Sequence, residues 1–142
     1  MANALYSNAK KKLLSGYINL GTNTIKASLV DSGVHAISLT ADTFFSSIPA
    51  NAIIATQTLA SKFISAASNT VVFFDAADVT FPTVSASANT IEYVLIYQDT
   101  GTAANSCLIA AIDTATGLPV TPNGGDITIV WDSGANHIFA LT

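Results

Sequence analysis

Four apolar runs in the last third of the chain constrain its fold more than any other feature: Ile91–Tyr97, Ser106–Ile112, Ile127–Trp131 and His137–Leu141. Each is closed by turn residues. Asp99-Thr100-Gly101 follows the first, and Thr116-Gly117-Leu118-Pro119 with Pro122-Asn123-Gly124-Gly125-Asp126 follows the second. Asp132-Ser133-Gly134-Ala135-Asn136 follows the third. Short β-branched, aromatic and aliphatic runs bounded by Gly, Asn, Asp and Pro read as antiparallel strands. The expectation is a meander of hairpins onto which the rest of the chain packs.

The first two thirds add further elements. Residues Asn3 to Ser15 read as a helix: Leu5, Ala9 and Leu13 recur at spacing four, Asn3 stands at the N-cap and Gly16 at the C-terminal cap. Its lysines come late, where the helix dipole favours cations. Its apolar side packs either on the sheet or on a neighbouring subunit, and periodicity does not choose. Thr24–Val30 alternates as a strand, and Val34–Leu39 is a weaker one. Thr40 is placed to cap a short helix that turns Phe44, Phe45 and Ile48 inward and stops at Pro49. Ile53–Leu59 reads as a strand and Ser61 to Asn69 as a loop. Val71–Phe74 is a continuously apolar strand, Asp75–Asp78 a turn, and Val79–Val84 an extended segment with Pro82 at an edge.

About eight short strands with a turn signal every 8–12 residues are the pattern of a sandwich or barrel. The fold class expected is therefore mainly β: an antiparallel β-sandwich or barrel-like domain with an N-terminal helix and one short helix. A length of 142 residues suits a single domain over 1–142, with residues 1–20 as an N-terminal helical arm.

Composition narrows function. Half the residues are hydrophobic and only 10% are charged, against roughly 25% in an average soluble domain. A surface so poor in charge suits a protein largely covered by neighbours in an assembly. Net charge is −4 and arginine is absent, which removes the usual bidentate reader of phosphates and bases and argues against sequence-specific nucleic-acid binding. Lys10, Lys11 and Lys12 are consecutive, while every acid lies at or beyond Asp31. The expected contact segment is Leu5 to Leu14, with Leu5, Tyr6, Lys10, Lys11, Lys12 and Leu13 as candidate interface residues against an acidic neighbour. No run has the length of a membrane span, and no continuous apolar core follows the N-terminal basic residues as in a secretory signal.

Chemistry-bearing patterns are sparse. Cys107 is the one cysteine, and His35 and His137 have no Cys or Glu at metal-ligand spacing. The serines form no Gly-x-Ser-x-Gly elbow, and Glu92 is a lone carboxylate. Gly124-Gly125 leads into a strand rather than a helix, so it supplies positive φ in a turn and not a phosphate loop. Asp75-Ala76-Ala77-Asp78 is the nearest approach to a calcium loop, but it lacks the alternating acids and the glycine of one. No catalytic residue, metal or cofactor is expected.

Several stretches resemble one another's counterparts in a known group. Ala4-Leu5-Tyr6, Leu13-Leu14-Ser15-Gly16, Asn23–Asp31 and Phe74–Phe81 are similar to segments of small virion structural proteins of tailed bacteriophages. So are the longer C-terminal runs Leu95–Gly101, Leu108–Ala110, Ile112–Asp126 and Trp131–Phe139. The resemblance spans nearly the whole chain, but it is carried by turns and strands, and no active-site residue is part of it. It implies a non-enzymatic virion protein, foremost a capsid decoration (cement) protein. Such a protein bridges major capsid subunits and associates with copies of itself. A tail or neck component is the alternative within that class. From a different class comes a host-glycan binding module using Trp131, Tyr93 and Tyr97 as a stacking platform.

Overall fold

The computed structural model describes residues 3–142, so Met1 and Ala2 of the expected arm lie outside the described residues. Among the described residues the fold is mainly β and antiparallel throughout, with a single α-helix. In chain order the strands are β1 (Ala4–Leu5), β2 (Ile25–Val30), β3 (Ile53–Thr58), β4 (Phe63–Ala66), β5 (Val72–Asp75), β6 (Val79–Phe81), β7 (Tyr93–Gln98), β8 (Leu108–Ile112), β9 (Ile127–Ile129) and β10 (Phe139–Leu141). Helix α1 is Ser7–Leu14.

The strands form a five-stranded sheet in the order β1-β8-β7-β2-β3, a three-stranded sheet β10-β5-β4 and a two-stranded ribbon β6-β9. The five-stranded sheet is open, because its edges β1 and β3 do not pair with each other. Its centre is apolar on both faces: every residue of β8 is buried, as are Val94 to Gln98 of β7. Two-sided burial is what a continuous run such as Leu108-Ile109-Ala110-Ala111-Ile112 requires, since neither face has a polar residue to offer water. Polar side chains inside the sheet are partnered at Ser28 and at the Gln98 amide N–H, while Gln98 Oε1 is buried without a hydrogen-bond partner among the described residues. Ser28 and Thr56 face each other across β2 and β3 with their hydroxyls 2.6 Å apart, and the buried Gln98 amide donates to Asn23 Oδ1. The three sheets share one core that includes Ile96, Leu108, Phe74, Phe81 and Ile129.

The expected C-terminal meander is not formed. Only β7 and β8 pair with each other; β9 returns to β6 and β10 to β5. The four runs are strands as expected, but they are shared among all three sheets. Alternation sets which side of a strand is apolar and leaves its partner open.

The N-terminal helix begins at Ser7 rather than at Asn3. Ala4 and Leu5 instead pair with Ala111 and Ala110 of β8, and Tyr6 N–H donates to Ile109 O. The Asn3 side chain does no helix capping; its Oδ1 accepts from the backbone N–H groups of Asp113 and Thr114. The C-terminal end is as expected. Gly16 has φ +75°, and Gly16 N–H and Tyr17 N–H donate to Leu13 O and Lys12 O, the paired bonds of a Schellman cap.

Val34–Leu39 is not a strand. Asp31 Oδ1 accepts from Gly33 N–H, Val34 N–H reaches back to Asp31 O, and Asp42 Oδ2 accepts from Ser38 N–H. Local side-chain to backbone bonds of this kind compete with ladder pairing. The short helix expected after Thr40 is replaced by two 3₁₀ turns, Phe45–Ser47 and Ala50–Ala52. Ahead of them Phe44 bridges to Cys107 and Phe45 stacks on Tyr97 at 4.0 Å. β8 thus has a composite edge, with β1 beside its second half and Phe44 at Cys107, just ahead of its start. The segment Ser61 to Asn69, expected as a loop, contains β4.

Candidate interaction surface

Helix α1 is only 8 residues long, below the roughly 12–15 residues at which an isolated helix holds in water. Docking on the sheet therefore has to stabilise it. Ala9 is buried and Leu5 and Leu13 pack against the core, so the stripe at spacing four faces the protein's own sheet. Tyr6 is fully buried. Burial pushes its phenol well above the ordinary range, and the nearby Asp42 carboxylate adds to the shift. Of the six candidate interface residues, Tyr6 is thus core, and Leu5 and Leu13 are half-buried supports. Lys12 is half-buried as well, its Nζ 4.2 Å from the centre of the Tyr17 ring. Lys10 and Lys11 are exposed.

Leu14, which ends the expected contact segment and lies off the stripe, is 91% exposed. It lines an apolar dimple of about 250 Å³ together with Leu13, Lys10 and Leu141 of β10. Leu141 pairs with Val72 of β5, and Val72 pairs with Ala66 of β4. Residues in register share a face, so Leu141, Val72 and Ala66 point the same way, with Ile64 on that face two residues along. Ile64, Val72 and Leu141 are each about half exposed. The exposed end of α1 and one face of the three-stranded sheet thus carry large apolar side chains, with Lys10 beside Leu14 and Leu141. A longer groove of about 520 Å³ runs beside it, between Leu5 of β1 and Phe139 of β10, with Lys10 at its rim. A signal for this surface exists in the sequence: Leu14 lies off the stripe formed by Leu5, Ala9 and Leu13. Sequence offers none for its union with Leu141 and Val72, which meet only through tertiary pairing.

The aromatic platform of the glycan alternative is not assembled. Trp131 is buried and its indole N–H donates to Ala77 O; Tyr97 is buried against Phe45. Tyr93 is half-buried, and burial together with Asp113 raises its phenol.

Both histidines and several carboxylates have structural partners. His137, at φ +49°, stacks on Phe73 at 3.7 Å and its Nδ1 lies 2.7 Å from Asp75 Oδ2. His35 Nε2 lies 3.1 Å from Asp42 Oδ2. Among the described residues neither imidazole is hydrogen-bonded to a hydroxyl or thiol, so neither has a relay to a nucleophile. Asp75 and Asp78 do not converge as a calcium site would need, since Asp78 Oδ1 caps Trp131 N–H while Asp75 turns to His137. Among the described residues no three His, Cys, Asp or Glu side chains are grouped to hold a metal ion, and no helix is long and apolar enough to cross a membrane. Cys107 is fully buried and its thiol is pushed up by that burial, the reverse of an activated cysteine. Lys26 Nζ and Asp99 Oδ2 pair at 2.8 Å, which raises the lysine and lowers the carboxyl.

Compared with known protein families the chain matches no family model, and compared with curated proteins it matches none.

Proposed function

We propose that this chain is a non-enzymatic structural protein of a phage virion, acting on the head as a decoration protein that bridges major capsid subunits. The observation that carries the reading is the lysine-bordered apolar surface of Leu14, Leu141, Val72 and Ile64, on a chain with only 10% charged residues. An exposed apolar patch rimmed by polar groups marks an interaction site. Apolar burial supplies affinity, and the lysines steer the surface toward an acidic partner in a salt-dependent way. Repetition on a symmetric lattice makes a modest contact effective, because each engaged copy raises the local concentration for the next. The resemblance to small virion proteins supports the same reading.

The test is the copy number of this chain relative to the major capsid protein in purified particles, measured by quantitative mass spectrometry. Decoration predicts roughly one copy per capsid subunit, or one per symmetric cluster of subunits. A share of only a few per cent, as expected of a ring at a unique vertex, moves the protein to the tail or neck, and absence from particles overturns the virion reading. The contact itself is tested with Leu14→Ser and with Lys10→Glu combined with Lys11→Glu, all at exposed positions. Removal of residues 2–15 is unsuitable, because it deletes β1 and the buried Tyr6 and unfolds the sheet edge.

A further inference from the structure

A sheet edge that is exposed, uncharged and apolar is a template for another strand, and folded proteins normally guard such edges with charge, proline, a bulge or a covering segment. The edges of this protein differ in how they are guarded. β3 lies against β6, and β1 and β10 flank the groove with Lys10 at its rim. β4 has none of these protections. All four of its residues, Phe63-Ile64-Ser65-Ala66, are exposed, and it pairs only with β5, in unbroken register from Phe63–Asp75 to Ala66–Val72. Its residues include no charge and no proline. Lys62, which immediately precedes it, is turned away to donate to Asn23 O. Large apolar side chains stand on both of its faces, Phe63 at 47% and Ile64 at 52% exposed.

We infer that β4 is a self-association edge, which pairs antiparallel with β4 of a second copy across a two-fold axis to make a continuous six-stranded sheet. The occupant is a second copy because the edge complements itself. A strand without charge meets its own copy without like-charge repulsion, and a closed two-fold contact uses one surface twice. Symmetry also restricts the register. Opposed residues of a continuous antiparallel sheet share a face, so the axis passes through a residue and not between two. Centring it on Ile64 joins the rung Phe139–Phe74–Ile64 to its own copy, an all-apolar line across both molecules. It also sets Phe63 opposite the small Ser65 of the second copy. The inference shares Ile64 with the surface of the virion reading but needs no capsid, so it stands or falls on the isolated chain.

Sedimentation of the full chain over a wide concentration range is expected to show a reversible monomer–dimer equilibrium. Ile64→Lys, at a half-exposed position, is expected to weaken dimerisation at least about tenfold by setting two like charges together at the axis. Val34→Ser, at an exposed position in the turn after β2 and outside both the edge and the Leu14 surface, is expected to leave it unchanged. A monomer at every concentration overturns the inference, and so does a dimer indifferent to Ile64→Lys or broken by Val34→Ser. Should Ile64→Lys not fold, Ile64→Cys in a Cys107→Ala background gives a second measurement. A rapid disulfide-linked dimer supports the two-fold register, and its absence while Ser65→Cys in the same background also fails to cross-link overturns it.

Discussion

The five-stranded and three-stranded sheets are both antiparallel and both built from short apolar runs, yet they differ in how much of that apolar surface the fold covers. In the larger sheet β7 and β8 are buried on both faces, and β2 is buried except at Lys26. In the smaller sheet burial stops at β5: Phe73 and Phe74 are buried, Val72 and Leu141 are half exposed, and β4 is exposed throughout. Equal hydrophobicity therefore serves different ends. One sheet holds the fold together, and the other leaves apolar side chains exposed.

Truncation in the two sheets should separate them most. Ile96→Ala, at a fully buried position of β7, is expected to cost about 3–4 kcal/mol, the cost of a core cavity. Ile64→Ala in β4 is expected to stay within about 0.5–1 kcal/mol in the isolated chain, and chemical denaturation of both variants checks the contrast. Equal losses would mean that the small sheet is as integral to the core as the large one. An intermediate effect is expected at the junction of the sheets. Trp131→Phe keeps most of the buried ring but removes the indole bond to Ala77 O, for a loss of about 1–2 kcal/mol.

The smallest expected effect is electrostatic. Asp99 has its carboxyl lowered chiefly by the hydrogen bond from Lys26, and by Gly101 N–H. A carboxyl lowered in the folded state adds stability above its ordinary value of 3.8, and that stability is lost as pH falls through the folded value. Both partners are partly exposed, so the contribution is about 0.5 kcal/mol. Lys26→Met should lower stability at neutral pH by about 0.5 kcal/mol and leave it unchanged at pH values below the folded Asp99 carboxyl, so that the acid limb flattens. A steeper change would show that Lys26 also supports β2 through its packing.

The limits of reading by pattern are instructive at particular residues. Leu108–Ile112 and Tyr93–Gln98 are legible because continuous apolar runs leave few alternatives to a buried strand. The Gly16 cap is legible because a left-handed residue after a helix favours glycine. Ala4–Leu5 is not, since two residues at helical spacing from Ala9 and Leu13 carry the same pattern whether they enter the helix or a strand. β4 is missed for a related reason. Phe63 and Ile64 favour a strand, but two residues among small Ser, Ala and Asn are too short a run to read as one, and pairing with β5 completes it. Val34–Leu39 errs the other way: its alternation suggests a strand, but Asp31 and Asp42 supply local hydrogen bonds that hold it in turns.

By itself the sequence determined that this protein is a β-rich antiparallel domain with one N-terminal helix, sparse charge and turns built on Asp, Asn and Gly. Those properties follow from local physics: side-chain period, the φ preferences of glycine and proline, and the need to bury apolar runs. Tertiary structure alone decided that β9 and β10 leave the expected meander for β6 and β5, that Tyr6 is core while Leu14 is surface, and that Leu14, Leu141, Val72 and Ile64 face a common side. Strand partnership is a long-range choice among segments of similar pattern, settled by which pairing closes a single core.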